Sequence, residues 1–173
     1  MLEFMNITLE NWENLAPYVM SSESEYLESI RTEKEDYDDI FQDGDAIGKI
    51  ALVNGKSAGN VIGYPPTDIE MEEYGLSRGN EKFMYLFNII IDKEFRGKGY
   101  GFNFIAEFLK EAKKQGYTKM IGHFRPNGSY ALIKKLGAID ISPCKNWEET
   151  GEDFMLCSLD IKNLQILEHN IQN

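Results

Sequence analysis

The chain predicts a mixed α/β fold: a mostly antiparallel sheet with one parallel central strand pair, flanked by helices. Three stretches carry this expectation. Asn54-Gly55 sits between two apolar runs and suits the left-handed positions of a type I′ hairpin. An apolar run (82–91), a glycine-rich turn (95–101), an amphipathic helical pattern (102–115) and another strand (119–124) then follow in order, which is how a crossover joins parallel neighbours. Residues 138–142 and 153–160 read as a closing antiparallel pair with a polar connection.

Taken in order, residues 1–9 alternate around Phe4, Ile7 and Leu9 as a first strand, and residues 8–11 offer caps for a short helix through Leu15 and Tyr18. Residues 21–24 supply a further N-cap with glutamates in the first turn. Tyr26, Ile30, Tyr37 and Phe41 recur on one helical face, so one acidic helix is expected, either as a solvated face or as an attractor of cations. The hairpin arms are 47–53 and 57–64. Pro65 and Pro66 end the second arm, and 67–80 is polar, acidic and poorly periodic, a loop over the sheet.

Residues 82–91 are apolar on both faces, as a buried central strand is, with Tyr85 and Asn88 as polar intrusions of unfixed phase. Phe102, Ile105, Ala106, Leu109 and Ala112 form the stripe of the following helix, which Gly116 closes. Asn127 or Ser129 caps a short helix over 130–136, closed by Gly137, and 162–173 is a tail.

The turn at 95–101 reads F-R-G-K-G-Y-G. The first turn of a helix carries amides without intrahelical partners and the positive end of the macrodipole, so it holds anions. Gly97, Gly99 and Gly101 let a ligand approach that backbone, and Arg96 and Lys98 add positive charge. Neither a P-loop nor a dinucleotide fingerprint fits: no Ser or Thr follows Lys98, and Phe102 or Phe104 stands where a third glycine belongs. The turn resembles the Q/R-x-x-G-x-G/A signature of the GNAT superfamily of N-acetyltransferases, matched by Arg96, Gly99 and Gly101. The later P-N-G-S-Y-A-L-I-K-K-L-G-A stretch is similar to another element of that family. The order of elements agrees over about 46–160.

The resemblance implies acetyl-CoA as cofactor, its pyrophosphate on Arg96, Gly97, Lys98, Gly99, Tyr100 and Gly101. It implies pantetheine paired along the central strand at Ile89 and Ile91, whose backbone also serves the oxyanion, and Asn127 against the pantetheine arm. The reaction would be attack of a neutral amine on the thioester, which calls for an oxyanion donor, a proton acceptor and an acid for the leaving thiolate. Many family members carry the acid as a tyrosine four residues before the glycine that ends the short helix. Here Ile133 stands there, and Tyr130 is the neighbouring candidate. His123, an imidazole expected near its ordinary pKa on the strand beside the cleft, is the candidate base, with a hydrogen-bonded structural histidine as the alternative. His169 lies in the tail. The replaced tyrosine also keeps open a non-catalytic acyl-CoA-binding module of the same fold.

The length of 173 residues suits one domain, 1–173. A net charge of −11 argues against nucleic acid as a main partner. Acids crowd 23–45 and bases dominate 82–135, which suits a cationic small-molecule or peptide amine on one side and a polyanionic cofactor on the other. The start lacks a signal-peptide pattern, no apolar run approaches a membrane span, and two cysteines suit free thiols, so a cytoplasmic protein is expected. No His/Cys spacing suggests a metal. The oligomeric state, a homodimer included, is left open.

Overall fold

The structure, a computed structural model, describes residues 1–162 and Leu164; the rest of the tail, with His169, lies outside the described residues. Its strands are β1 (Leu2–Ile7), β2 (Ile47–Val53), β3 (Lys56–Tyr64), β4 (Phe83–Ile91), β5 (Lys119–Phe124), β6 (Ile139–Cys144) and β7 (Phe154–Asp160). They form one sheet in the order β1-β2-β3-β4-β5-β7-β6, antiparallel throughout except for β4 and β5. The expected mixed fold with its parallel central pair is therefore present. Helices α1 (Trp12–Ser22), α2 (Lys34–Gln42), α3 (Asp68–Glu73), α4 (Tyr100–Lys114) and α5 (Gly128–Lys135) flank it.

Strand alternation divides the core. Phe104, Ile105, Phe108, Leu109 and Ala112 of α4 are fully buried on Ala51, Ala58, Val61, Met84 and Leu86. On the opposite face Trp12, Leu15 and Val19 of α1 and Tyr37 and Phe41 of α2 cover Ile7, Ile50 and Ile62. The hairpin forms as the dipeptide dictates, with φ of 53° at Asn54 and 78° at Gly55. Both cysteines are free thiols; the β6–β7 register sets Phe154 opposite Cys144 and Asp140 opposite Cys157.

Two sequence expectations are corrected. The single acidic helix is broken: a 3₁₀ turn at Glu23–Glu25, extended backbone at Tyr26, a second turn at Glu28–Ile30, and α2 only from Lys34. Tertiary bonds override helical periodicity here. The Glu23 carboxylate turns inward, and its Oε2 accepts the Thr32 amide at 2.9 Å in place of a helical carbonyl. In the stretch expected to be a loop, α3 forms on a capping box in which Thr67 Oγ1 accepts from the Glu70 amide and the Glu70 carboxylate accepts from the Thr67 amide.

The site depends on how β4 leaves its partners. Its pairing with β5 runs from Phe83↔Lys119 to Tyr85↔Ile121 and stops. Against β3, Gly63 faces Leu86 and Ile62 faces Asn88, so Phe87 is an extra residue, a β-bulge. One inserted residue reverses the alternation. Met84 and Leu86 belong to the α4 side before the bulge, and Ile89 and Ile91 pack on that same side after it, while Asn88 is turned to Tyr37 of α2.

Candidate active site

A cleft of about 740 Å³ opens where β4 and β5 diverge, and it passes through the sheet. Gly97, Gly99, Tyr100, Gly101 and Leu132 line it from the α4–α5 side, and Glu25, Tyr26, Ile30 and His123 from the other. Ile89, Ile91, Arg96 and Asn127 also line it. The divergence thus brings together most of the residues singled out from the sequence.

The glycine turn is shaped as an anion seat. Gly97 and Gly99 have φ of 75° and 81°, and a Cβ at either would meet nothing within 4 Å, so the backbone conformation rather than crowding requires glycine there and the amides stay open to a ligand. Gly99 is the N-cap of α4, whose first turn carries no acid and whose last turn carries Lys113 and Lys114, charges that complement the helix dipole. Gly101 differs: its Cβ would lie 3.1 Å from Leu132 Cδ2 and 3.4 Å from Ile91 Cδ1, which makes it the close-packing point between α4, α5 and β4. Lys98 does not line the cleft; its ammonium sits 5.2 Å from the Phe95 ring centroid. Asn127 caps α5, its Oδ1 accepting from the Ser129 amide at 3.0 Å. Open helix amides, uncrowded backbone at two glycines and the Arg96 flank fit a diphosphate.

Beyond the bulge, the edge of β4 is satisfied by side chains. The Ile89 amide donates to the Tyr26 hydroxyl at 3.3 Å, and Arg96 Nε donates to the Ile91 carbonyl at 2.8 Å while its guanidinium pairs with Glu25. Tyr26 donates to Asn88 Oδ1 at 2.7 Å, Asn88 Nδ2 to the Tyr37 hydroxyl at 2.5 Å, and Tyr37 to Glu23 Oε1 at 2.5 Å. Burial pushes the Glu23 carboxyl and the Tyr26 and Tyr37 hydroxyls above their usual pKa values. Sequence periodicity placed Tyr26 on a helix face, so its position in the cleft was missed; the inward Glu23 that breaks the helix carries no local signal.

His123 lies on β5 in an aromatic nest. Its ring stacks on Trp147 at 3.7 Å between centroids, meets Tyr74 edge-on at 4.9 Å, and its Nδ1 lies 2.8 Å from the Tyr85 hydroxyl. Burial lowers its pKa to about 4, which corrects the near-neutral expectation: the imidazole is uncharged at pH 7. Between about pH 4 and the usual 6.5 the native protein binds fewer protons than the unfolded chain, so this group adds stability as pH rises and loses it as pH falls. The unfolding free-energy difference between wild type and His123→Gln is therefore expected to shrink on acidification across that window, by on the order of 3 kcal/mol at most. Urea denaturation at several pH values checks it; a pH-independent difference contradicts it.

Tyr130 is not brought to the cleft. Its hydroxyl donates to the Asp140 carboxylate, 3.0 Å from Oδ2, and Ile133 is fully buried in the core. Among the described residues no acid or thiol cluster is arranged for a metal, and no helix is long and apolar enough to cross a membrane.

A bulged central strand that parts from its parallel neighbour beside a glycine turn and helix N-terminus defines a class of acyl-transfer fold. A family model described as the GNAT acetyltransferase family matches residues 6–138, and the chain belongs to that family. No curated protein sequence matches it. Solved structures share the fold at low identity. The ribosomal-protein-S18-alanine N-acetyltransferase from Escherichia coli is 17% identical over 93% of this chain and 94% of its own, with a TM-score of 0.69. The Drosophila melanogaster polyamine N-acetyltransferase is 14% identical over 92% and 100%, with a TM-score of 0.71. Arabidopsis thaliana Naa50, solved with the bisubstrate analogue CoA-Ac-MVNAL, is 16% identical over 92% and 98%, with a TM-score of 0.68.

Proposed function

We propose that the protein transfers the acetyl group of acetyl-CoA to a primary amine, on a cationic small molecule or peptide, by direct attack of the neutral amine. The observation that carries this reading is the cleft itself, which joins the amides of the glycine turn on one side of the sheet to an uncharged imidazole on the other. Acetyl-CoA would supply the acyl group and a thiolate leaving group. Gly97, Gly99 and the first turn of α4 would hold its diphosphate, with Arg96 released from Glu25 toward the phosphates. The Ile89 amide, on giving up its long bond to the Tyr26 hydroxyl, would donate to the charge developing on the reacting carbonyl oxygen. His123 would take the proton of the attacking nitrogen directly or through water; its low basicity is offset because the nitrogen becomes far more acidic on bonding to carbon and the adduct collapses to a neutral amide as the thiolate leaves.

A cationic acceptor is supported by Glu25, the acid of the 23–45 stretch that lines the cleft. One observation favours a second reading, a non-catalytic acyl-CoA-binding module: Tyr130 is engaged by Asp140 and Ile133 is buried, which leaves neither position to serve as an acid. Calorimetric titration with acetyl-CoA followed by an amine screen for CoA-thiol release separates the readings. Binding with turnover supports the enzyme, binding without turnover the module, and no binding removes both. Turnover of anionic amino acids alone would remove the cationic acceptor.

A further inference from the structure

The Tyr26 hydroxyl carries one proton, and the groups behind it decide where that proton points. Glu23 is 4% exposed, and its Oε2 is held by the Thr32 amide, which leaves Oε1 to face Tyr37. Tyr37 donates inward to that Oε1 at 2.5 Å and turns its oxygen to Asn88 Nδ2, which can only donate. With Nδ2 so engaged, Oδ1 is the atom that meets Tyr26 and takes its proton, the Ile89 carbonyl being the more distant acceptor at 3.4 Å. Tyr26, which lines the cleft, then keeps its oxygen lone pairs for donors, the Ile89 amide being one.

We propose that Glu23 is a positioning residue for the acceptor: through Tyr37 and Asn88 it keeps the Tyr26 proton turned away from the cleft, so that the Tyr26 oxygen receives an N–H of the incoming amine. The proposal rests on the acetyltransferase reading and adds the group that seats the nucleophile. Tyr26 adjoins the Ile89 amide, the donor assigned to the reacting carbonyl, so a nitrogen bound to its oxygen lies next to the carbon it attacks. The arrangement is also selective, since a ligand carboxylate or carbonyl would meet lone pairs with lone pairs.

Glu23→Gln tests the polarity at constant shape. The Thr32 amide still requires an acceptor, so the new amide oxygen stays with it and the NH₂ faces Tyr37. Each member then reverses: Tyr37 donates to a flipped Asn88, Asn88 donates to Tyr26 and takes up a lone pair there, and the Tyr26 proton is left to the cleft or the Ile89 carbonyl. Tyr37→Phe removes the phenol relay with the carboxylate kept, and Asn88 Nδ2, already 3.5 Å from Glu23 Oε1, retains a weaker direct hold on the same orientation.

The experiment uses isotope-labelled full-length protein saturated with CoA and n-butylammonium as the probe, followed by nuclear magnetic resonance. In the wild type, the Asn88 side-chain amide and the Ile89 amide signals are expected to shift with probe. Glu23→Gln is expected to bind it about tenfold more weakly or worse, the loss when a charged donor is denied its acceptor, and Tyr37→Phe to fall between it and the wild type. Without probe, the Tyr37 hydroxyl proton is expected far downfield in the wild type and displaced upfield in Glu23→Gln, a signature that mere loosening of the segment would not produce. Equal probe affinity in the wild type and the folded variants, an unmoved hydroxyl proton, or no wild-type response overturns the proposal. Failure of the wild type to bind CoA overturns the acetyltransferase reading and this proposal with it; amine binding indifferent to Glu23 and Tyr37 in a CoA-binding protein overturns the positioning role alone.

Discussion

Gly99→Glu is expected to abolish acetyl-CoA binding while the protein stays folded. A Cβ at this position meets nothing within 4 Å, so the side chain starts into open space and the cost to the fold is the left-handed φ of 81°, about 1–2 kcal/mol. The cost to binding is larger. The carboxylate would sit at the N-terminus of α4, where the diphosphate needs amides and positive potential, and like charges about 4 Å apart repel by roughly 1–4 kcal/mol at the effective dielectric of water or a protein surface. With the steric bulk added, affinity is expected to fall at least about a hundredfold. Calorimetry with acetyl-CoA reads the loss, and a thermal melt confirms the fold. Gly99→Ala carries the strain without the charge and is expected to lose much less. Unchanged affinity in Gly99→Glu would remove the diphosphate from this turn.

Gly59→Ala is expected to be the costlier change for the fold, at about 3 kcal/mol or more. Gly59 has φ of 132° and pairs with Ile91, and an added Cβ would overlap the Ile90 carbonyl oxygen and lie 3.0 Å from the Ile91 Cα. These are backbone atoms of the central strand and cannot swing aside as a side chain could. The strands must part where β4 carries the Ile91 carbonyl into the cleft, so cofactor affinity should fall together with stability. A urea midpoint equal to that of the wild type would show that β3 and β4 tolerate the separation.

Local chemistry was legible in the sequence, and long-range exchange of partners was not. Asn54-Gly55 announced its hairpin because few dipeptides accept two positive φ values, and Gly97 and Gly99, which also take positive φ, marked the turn before α4 for the same reason. The crossover from β4 to β5 followed from strand, helix and strand in order. The bulge at Phe87 was hidden because an unbroken apolar run looks alike in either phase, and with the phase went the orientation of Asn88. The break after Ser22 depends on Glu23 reaching Tyr37, fourteen residues on, a pairing that no helical period reveals. Thr67-x-x-Glu70 was a readable capping box, but a helix of six residues is too short to show a stripe. The pKa of His123 depends on Trp147, Tyr74 and Tyr85 closing around it from three separate parts of the chain.

The way β4 ends has a consequence for the protein before any ligand arrives. Past Tyr85 the strand has β3 on one side and no strand on the other, and such an open ladder is a template on which foreign extended chains, or a second copy, could grow. Tyr26 at the Ile89 amide and Arg96 at the Ile91 carbonyl occupy two of its rungs with a phenol and a guanidinium, groups that bond to the ladder but cannot prolong it. The protein thus holds an adhesive edge in a capped form, and uncapping is left to whatever binds there more strongly than its own side chains.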